Sequence, residues 1–229
     1  MSYKLIIQGI DEPILMRQSQ ATSLNITNRT FFARVTSSLC GKAESPLENF
    51  AFYEDEKEVK FNKLSLVILS PLDLPFKNAT LLKNLFLRIE NNIKFNDSLQ
   101  IKVNELQLLL NEAFEVSQSK LHCEYDFAVE FDVKKYLKTF GFSSEIDEGS
   151  SLLDNLTNFL DFIADVAPNK LLYFVNIASF LDKDDYIQFC ETIFSLKLTA
   201  LIVNSGMFQF KSQHHANYVI DQHFLLHRN

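Results

Sequence analysis

A chain of 229 residues, 47% hydrophobic with five glycines and five prolines, is long enough to bury one large core or two small ones and too apolar to be disordered. Its net charge of −7 excludes a surface that coats nucleic acid indiscriminately, because phosphate binding needs clustered Lys and Arg. Three cysteines, Cys40, Cys123 and Cys190, are odd in number and far apart, which excludes a disulfide framework and a zinc knuckle.

The first apolar run is too short for a signal peptide, and no later stretch reaches the roughly 20 residues needed to span a bilayer, so a cytoplasmic protein with reduced thiols and no membrane contact is expected. Residues 3–15 alternate and break at Asp11-Glu12-Pro13, giving a strand, a turn and a second short strand. Asn28 or Thr30 then caps a helix through Phe31, Phe32, Val35 and Leu39, with Gly41 as its stop. The pair Gly41-Lys42 invites comparison with a phosphate loop. Thr36 stands where the first glycine belongs, and Ala43 where the magnesium-binding hydroxyl belongs, so the segment reads as a helix end followed by a surface lysine. Residues 44–63 are charged and read as a solvated hairpin or loop. Residues 64–69 form a buried strand closed by Pro71 and Pro75.

Helical periodicity follows from residue 78 to about 141. Leu81, Leu82, Leu85, Phe86, Ile89 and Ile93 make one apolar face, with Lys83 and Arg88 on the polar side. A second helix, about 98–117, carries Leu99, Val103, Leu106, Leu110, Ala113 and Phe114. A third, about 132–140, turns Tyr136, Leu137 and Phe140 inward. Ser150 caps a further helix through Leu153, Leu156, Phe159, Leu160 and Ile163 that ends at Pro168. The apolar run 169–176 is a buried parallel strand. In nucleotide-hydrolysing sheets such a strand ends in a carboxylate that helps hold magnesium, and here it ends in neutral Asn176. A helix opens at Asp182, and strands follow at 198–203 and 218–226. The fold class expected is α/β: a P-loop-ATPase-like head with a degenerate nucleotide site, residues 1–73 and 149–229, carrying an inserted α-helical leg, residues 74–148.

Asp11-Glu12-Pro13-Ile14, the helical middle, the run Lys170 to Asn176 with Phe180 to Asp185 after it, and Tyr218-Val219-Ile220-Asp221 occur in an order that resembles the accessory spacer-acquisition family of type II-A CRISPR systems, the small Csn-type adaptation proteins. The resemblance runs over essentially the whole chain. It implies a non-catalytic, ring-shaped homotetramer that binds double-stranded DNA ends without reading sequence. It also implies dependence on Ca2+ and work alongside the integrase proteins and effector nuclease of the same CRISPR locus.

Calcium takes six to eight oxygen ligands, and Glu124, Asp126, Glu130 and Asp132 fall within nine residues where that family carries its acidic cluster. The alternating order of Glu124 and Asp126 also fits a solvated strand edge, and Glu112 and Glu115 on the preceding helix are further candidates. For DNA, Lys134, Lys135 and Lys138 on the third helix and Lys83 and Arg88 on the first are the candidate phosphate contacts, repeated around a ring. His223 and His227, four apart, would share a helix face for zinc, but their surroundings read as strand, where four residues span about 13 Å. The competing expectation is an ATP- or metal-dependent DNA-processing enzyme on a P-loop-like sheet.

Overall fold

The computed structural model describes residues 2–41, 49–123, 132–139, 149–208 and 214–228. In chain order they form β1 (Ser2–Ile7), β2 (Ile14–Arg17), β3 (Ala21–Ile26), α1 (Arg29–Leu39), β4 (Phe50–Glu54), β5 (Lys57–Glu58), α2 (Phe61–Leu64), β6 (Ser65–Ile68), α3 (Ala79–Lys94), α4 (Asp97–Gln118), α5 (Val133–Thr139), α6 (Leu152–Val166), β7 (Leu171–Val175), α7 (Lys183–Ser195), β8 (Thr199–Ser205), β9 (His215–Ile220) and β10 (Leu226–Arg228). Two compact units result, Met1–Phe76 with Ile146–Asn229, the head, and Lys77–Glu145, the helical unit. Among the described residues no helix is long and apolar enough to cross a membrane.

The head is organised on a six-stranded sheet in the order β10-β9-β3-β8-β7-β6. Its pairings are parallel except for β10 against β9. β7 is buried at every residue, which a strand lacking polar alternation requires. On one side of the sheet, Leu24, Tyr173 and Leu201 share a core with Val35 of α1 and with Leu5, Ile14, Met16 and Phe52 of the antiparallel sheet β2-β1-β4-β5. Successive strand residues face opposite ways, so Phe174 points to the other side, where Phe189 of α7 meets it edge-on at 5.2 Å. β4 and β5 are joined through Asp55 and Glu56, both at positive φ, the backbone of a primed hairpin turn. The charged stretch is therefore a hairpin over residues 50–58.

The helical unit is built from α3, α4 and α5. Asn78 caps α3, accepting from the N–H groups of Thr80 and Leu81 at 3.0 and 3.3 Å, and Asn96 caps α4. Leu81 and Phe86 of α3 are buried, but α4 has no buried residue.

Several sequence expectations change. β3, the strand at the centre of the sheet, was not anticipated, because Ser23 and Asn25 interrupt its apolar residues. The expected strand at 218–226 is two strands. Asp221 Oδ1 accepts from the N–H groups of His223 and Leu225 and turns the chain back as β10. Ser151, not Ser150, caps α6, in a reciprocal capping box with Asp154. The face of α4 carrying Leu99, Leu106 and Phe114 is exposed, as is Tyr136 of α5, while Phe140 lies outside the described residues. The expected head–leg breaks at 73 and 149 each lie three residues from the division between the units.

Candidate functional site

In an open parallel sheet, ligands sit beyond the carboxyl ends of the strands, at the junctions with the helices. β3 passes into α1 through Thr27 and Asn28 alone. Asn28 Oδ1 accepts the Phe31 N–H at 3.0 Å, and the Thr27 N–H and hydroxyl both donate to the Ile220 carbonyl, at 3.0 and 3.2 Å. No glycine occurs in residues 21–40, so the junction lacks the unhindered backbone that wraps phosphate at such helix starts. The Gly41-Lys42 pair belongs to the other end of α1. There Gly41, at φ +63°, follows the C-cap Cys40, at the negative end of the helix dipole, and Lys42 lies outside the described residues.

At the end of β7, Asn176 adopts a left-handed conformation with φ 55°. Its N–H donates to the Val203 carbonyl at 2.9 Å, and its Oδ1 accepts the Ser205 N–H at 2.7 Å, tying β7 to β8. A band of buried amides continues across the sheet. Asn204 donates to Asn25 Oδ1 at 3.1 Å, and Asn25 donates to Asn217 Oδ1 at 2.5 Å and to the Phe208 carbonyl at 3.2 Å. Ser23 Oγ bonds both the Tyr186 hydroxyl and His215 Nε2, the latter at 2.6 Å. Buried polar groups need partners, and here they supply one another. Burial pushes the Tyr186 phenol well above its usual range and the Cys190 thiol up to about 12, too high for a thiolate nucleophile at neutral pH. The sequence signal for this band was the polar pair Ser23 and Asn25 at a two-residue spacing.

In the helical unit, α3 and α5 pack together, and the Lys134 Nζ of α5 lies 2.6 Å from Glu90 Oε2 of α3. Lys135 Nζ lies 3.8 Å from Asp132 Oδ2, while Lys83, Arg88 and Lys138 are exposed. Lys134 and Lys135 thus already face carboxylates.

Of the candidate calcium ligands, Glu124, Asp126 and Glu130 lie outside the described residues. Asp132 begins α5, with Oδ1 accepting the Lys135 N–H at 3.0 Å, a bond that holds its carboxyl below the usual range. Among the described residues, no three His, Cys, Asp or Glu side chains converge as a metal site, and Glu112 and Glu115 are exposed on α4. The described residues alone therefore do not make the six-to-eight-oxygen cage that calcium needs. His227 Nε2 contacts Asp221 Oδ2 at 3.0 Å from β10, and His214 stacks on Phe194 with ring centroids 3.6 Å apart. The histidine partner, with backbone N–H groups, pulls the Asp221 carboxyl down to about 2.

A mainly parallel sheet with a small antiparallel sheet on one side and helices α6 and α7 following the inserted helical unit defines a mixed α/β protein. It is similar over 99% of its length, at 11% identity and a TM-score of 0.50, to the ADP conformation of MJ1267, an ATP-binding cassette of an ABC transporter, of which 90% is covered. Within that class, residues 44–224 match the model of the CRISPR-associated protein family Cas_Csn2, and the chain belongs to that family. It is 26% identical over 222 residues, 95% of this chain and 94% of the relative, to the CRISPR-associated protein Csn2 of Streptococcus agalactiae. Its fold is similar to that of Stu0660 of Streptococcus thermophilus, with a TM-score of 0.60, 19% identity, and coverage of 94% of this chain and 74% of that one.

Proposed function

We propose that this CRISPR-associated chain is a non-catalytic binder of double-stranded DNA ends in spacer acquisition. It acts as a homotetrameric ring with Ca2+ and works beside the integrase proteins and effector nuclease of its locus. One observation carries this reading. A chain of the Csn2 family has Thr27-Asn28, with no glycine, at the β3–α1 junction where a phosphate cradle would be, which supports reading its nucleotide site as degenerate.

The distribution of charge supports it. The helical unit holds nine Lys and Arg against ten Asp and Glu, net −1, and the head thirteen against nineteen, net −6. Phosphates are repelled least at the helical unit, where Lys83, Arg88 and Lys138 are exposed. Calcium enters through the run Glu124, Asp126, Glu130 and Asp132, by neutralising carboxylates of the same unit. Contacts of this kind go to the backbone and are indifferent to sequence.

The test is a gel shift of random-sequence linear duplex in calcium and in chelator, alongside an assay of ATP hydrolysis. The expected result is a calcium-dependent, salt-sensitive shift with no nucleotide turnover. ATP hydrolysis abolished by one substitution, or strand cleavage, would instead establish a DNA-processing enzyme.

A further inference from the structure

Where α1 ends in the head, the described residues line a cavity of about 670 Å³. Its apolar walls are Leu39 of α1, Phe50 and Phe52 of β4, Val59, and Phe61 at the start of α2. Phe61 stands edge-on to Phe50 at 6.3 Å and to Phe52 at 5.1 Å. Glu58 and Lys60, one charge of each sign, are exposed at the rim. A concave apolar space of a few hundred Å³ with few polar groups is the usual form of a small-molecule site.

A second observation lies deeper in the same core. Phe61 also meets the Tyr173 ring edge-on at 5.4 Å, and the Tyr173 hydroxyl ends beside Thr36 of α1 and its C-cap Cys40. That stretch of α1 also supplies Leu39 to the cavity wall. Neither the Tyr173 hydroxyl nor Thr36 Oγ1 makes a hydrogen bond of ordinary geometry, although both atoms are buried. A buried hydroxyl without a partner is costly, so the core favours a guest that brings an acceptor to it.

We infer that this cavity binds an uncharged, flat aromatic molecule with a ring nitrogen or carbonyl acceptor, its ring among the phenylalanines and its acceptor on the Tyr173 hydroxyl. Phenylalanines set edge-on to one another offer both edges and faces to such a ring. A net charge is disfavoured, because Glu58 and Lys60 offset each other at the rim and an ion farther in would be left without water or a counter-charge. The cavity lies wholly within the head and does not depend on the DNA reading.

The test is equilibrium dialysis of the full chain, at neutral pH, against three probes of nearly one shape: quinoline, which has a ring acceptor, naphthalene, which has none, and N-methylquinolinium, which carries a charge. Quinoline is expected to bind at about 0.1–1 mM and the quinolinium at least tenfold more weakly. Tyr173→Phe keeps the ring and removes the hydroxyl. It should weaken quinoline about fivefold and leave naphthalene unchanged. Val59→Trp, at a half-buried wall position, should abolish binding of both neutral probes while circular dichroism stays that of the wild type. Tyr173→Phe that weakens the two neutral probes alike, or neither, overturns the role of the hydroxyl. No quinoline binding below about 10 mM, equal binding of the quinolinium, or undiminished binding by a folded Val59→Trp overturns the site. Should Val59→Trp fail to fold, the quinoline-to-naphthalene ratio in Tyr173→Phe decides alone.

Discussion

In the head, β7 is enclosed from Leu171 to Val175 and Phe189 of α7 has no exposed surface, whereas in the helical unit the 22-residue α4 has no fully buried residue and leaves Leu108 66% and Leu109 64% exposed. The sequences of the two regions are comparably rich in leucine and phenylalanine, so composition does not make the difference. Most apolar residues of the head strands and of α6 and α7 are buried within it. Those of α4 stand exposed along much of its length.

Core substitutions should break this contrast most visibly. Phe189→Ala, which removes a ring packed edge-on against Phe174, is expected to cost about 3–5 kcal/mol of head stability in chemical denaturation. A loss below about 1 kcal/mol would mean that the head is not packed as described. The next effect is local and lies at the end of β7. Asn176→Ala should destabilise by roughly 1–3 kcal/mol, because alanine must enter the left-handed region and the bond to the Ser205 N–H is lost, while Asn176→Gly should cost less. Equal losses from the two would remove backbone conformation as the cause.

Leu109→Ala sharpens the comparison from the other side. Removing this exposed leucine should change the unfolding free energy by under about 0.5 kcal/mol, a small fraction of the Phe189 effect. The smallest effect is the acid response of the β9–β10 hairpin. The folded Asp221 carboxyl titrates at about 2, below its unfolded value of roughly 3.9, so its bonds to His227, Leu225 and His223 are held above pH 4 and lost as pH falls toward 2. Amide protection of Leu225 should be flat from pH 7 to 5 and drop below pH 4, and Asp221→Asn should abolish that drop.

The parts of the fold legible in sequence were those with a single strong period. β7, α7 opening at Asp182, and α3 beginning near residue 78 all stand close to where apolar spacing put them. β3 was illegible because its polar residues, Ser23 and Asn25, look like solvent-facing positions. They are buried because Tyr186, Asn204, His215 and Asn217, up to 192 residues away in the chain, come to meet them. The neutral character of Asn176 was legible, but its role in bridging β7 and β8 depends on a φ of 55° that no local pattern announces. Among the candidate cations, sequence spacing could not reveal that Lys134 faces Glu90, since the two lie on different helices.

The account turns on duplex ends. The most direct measurement is competition for the purified protein, in calcium, between a linear duplex and a covalently closed circle of the same sequence. Preference for the linear form by tenfold or more, weakening steadily with added salt, is the result expected for a ring that must be threaded. Equal affinity for the two forms, or none for either, would contradict it.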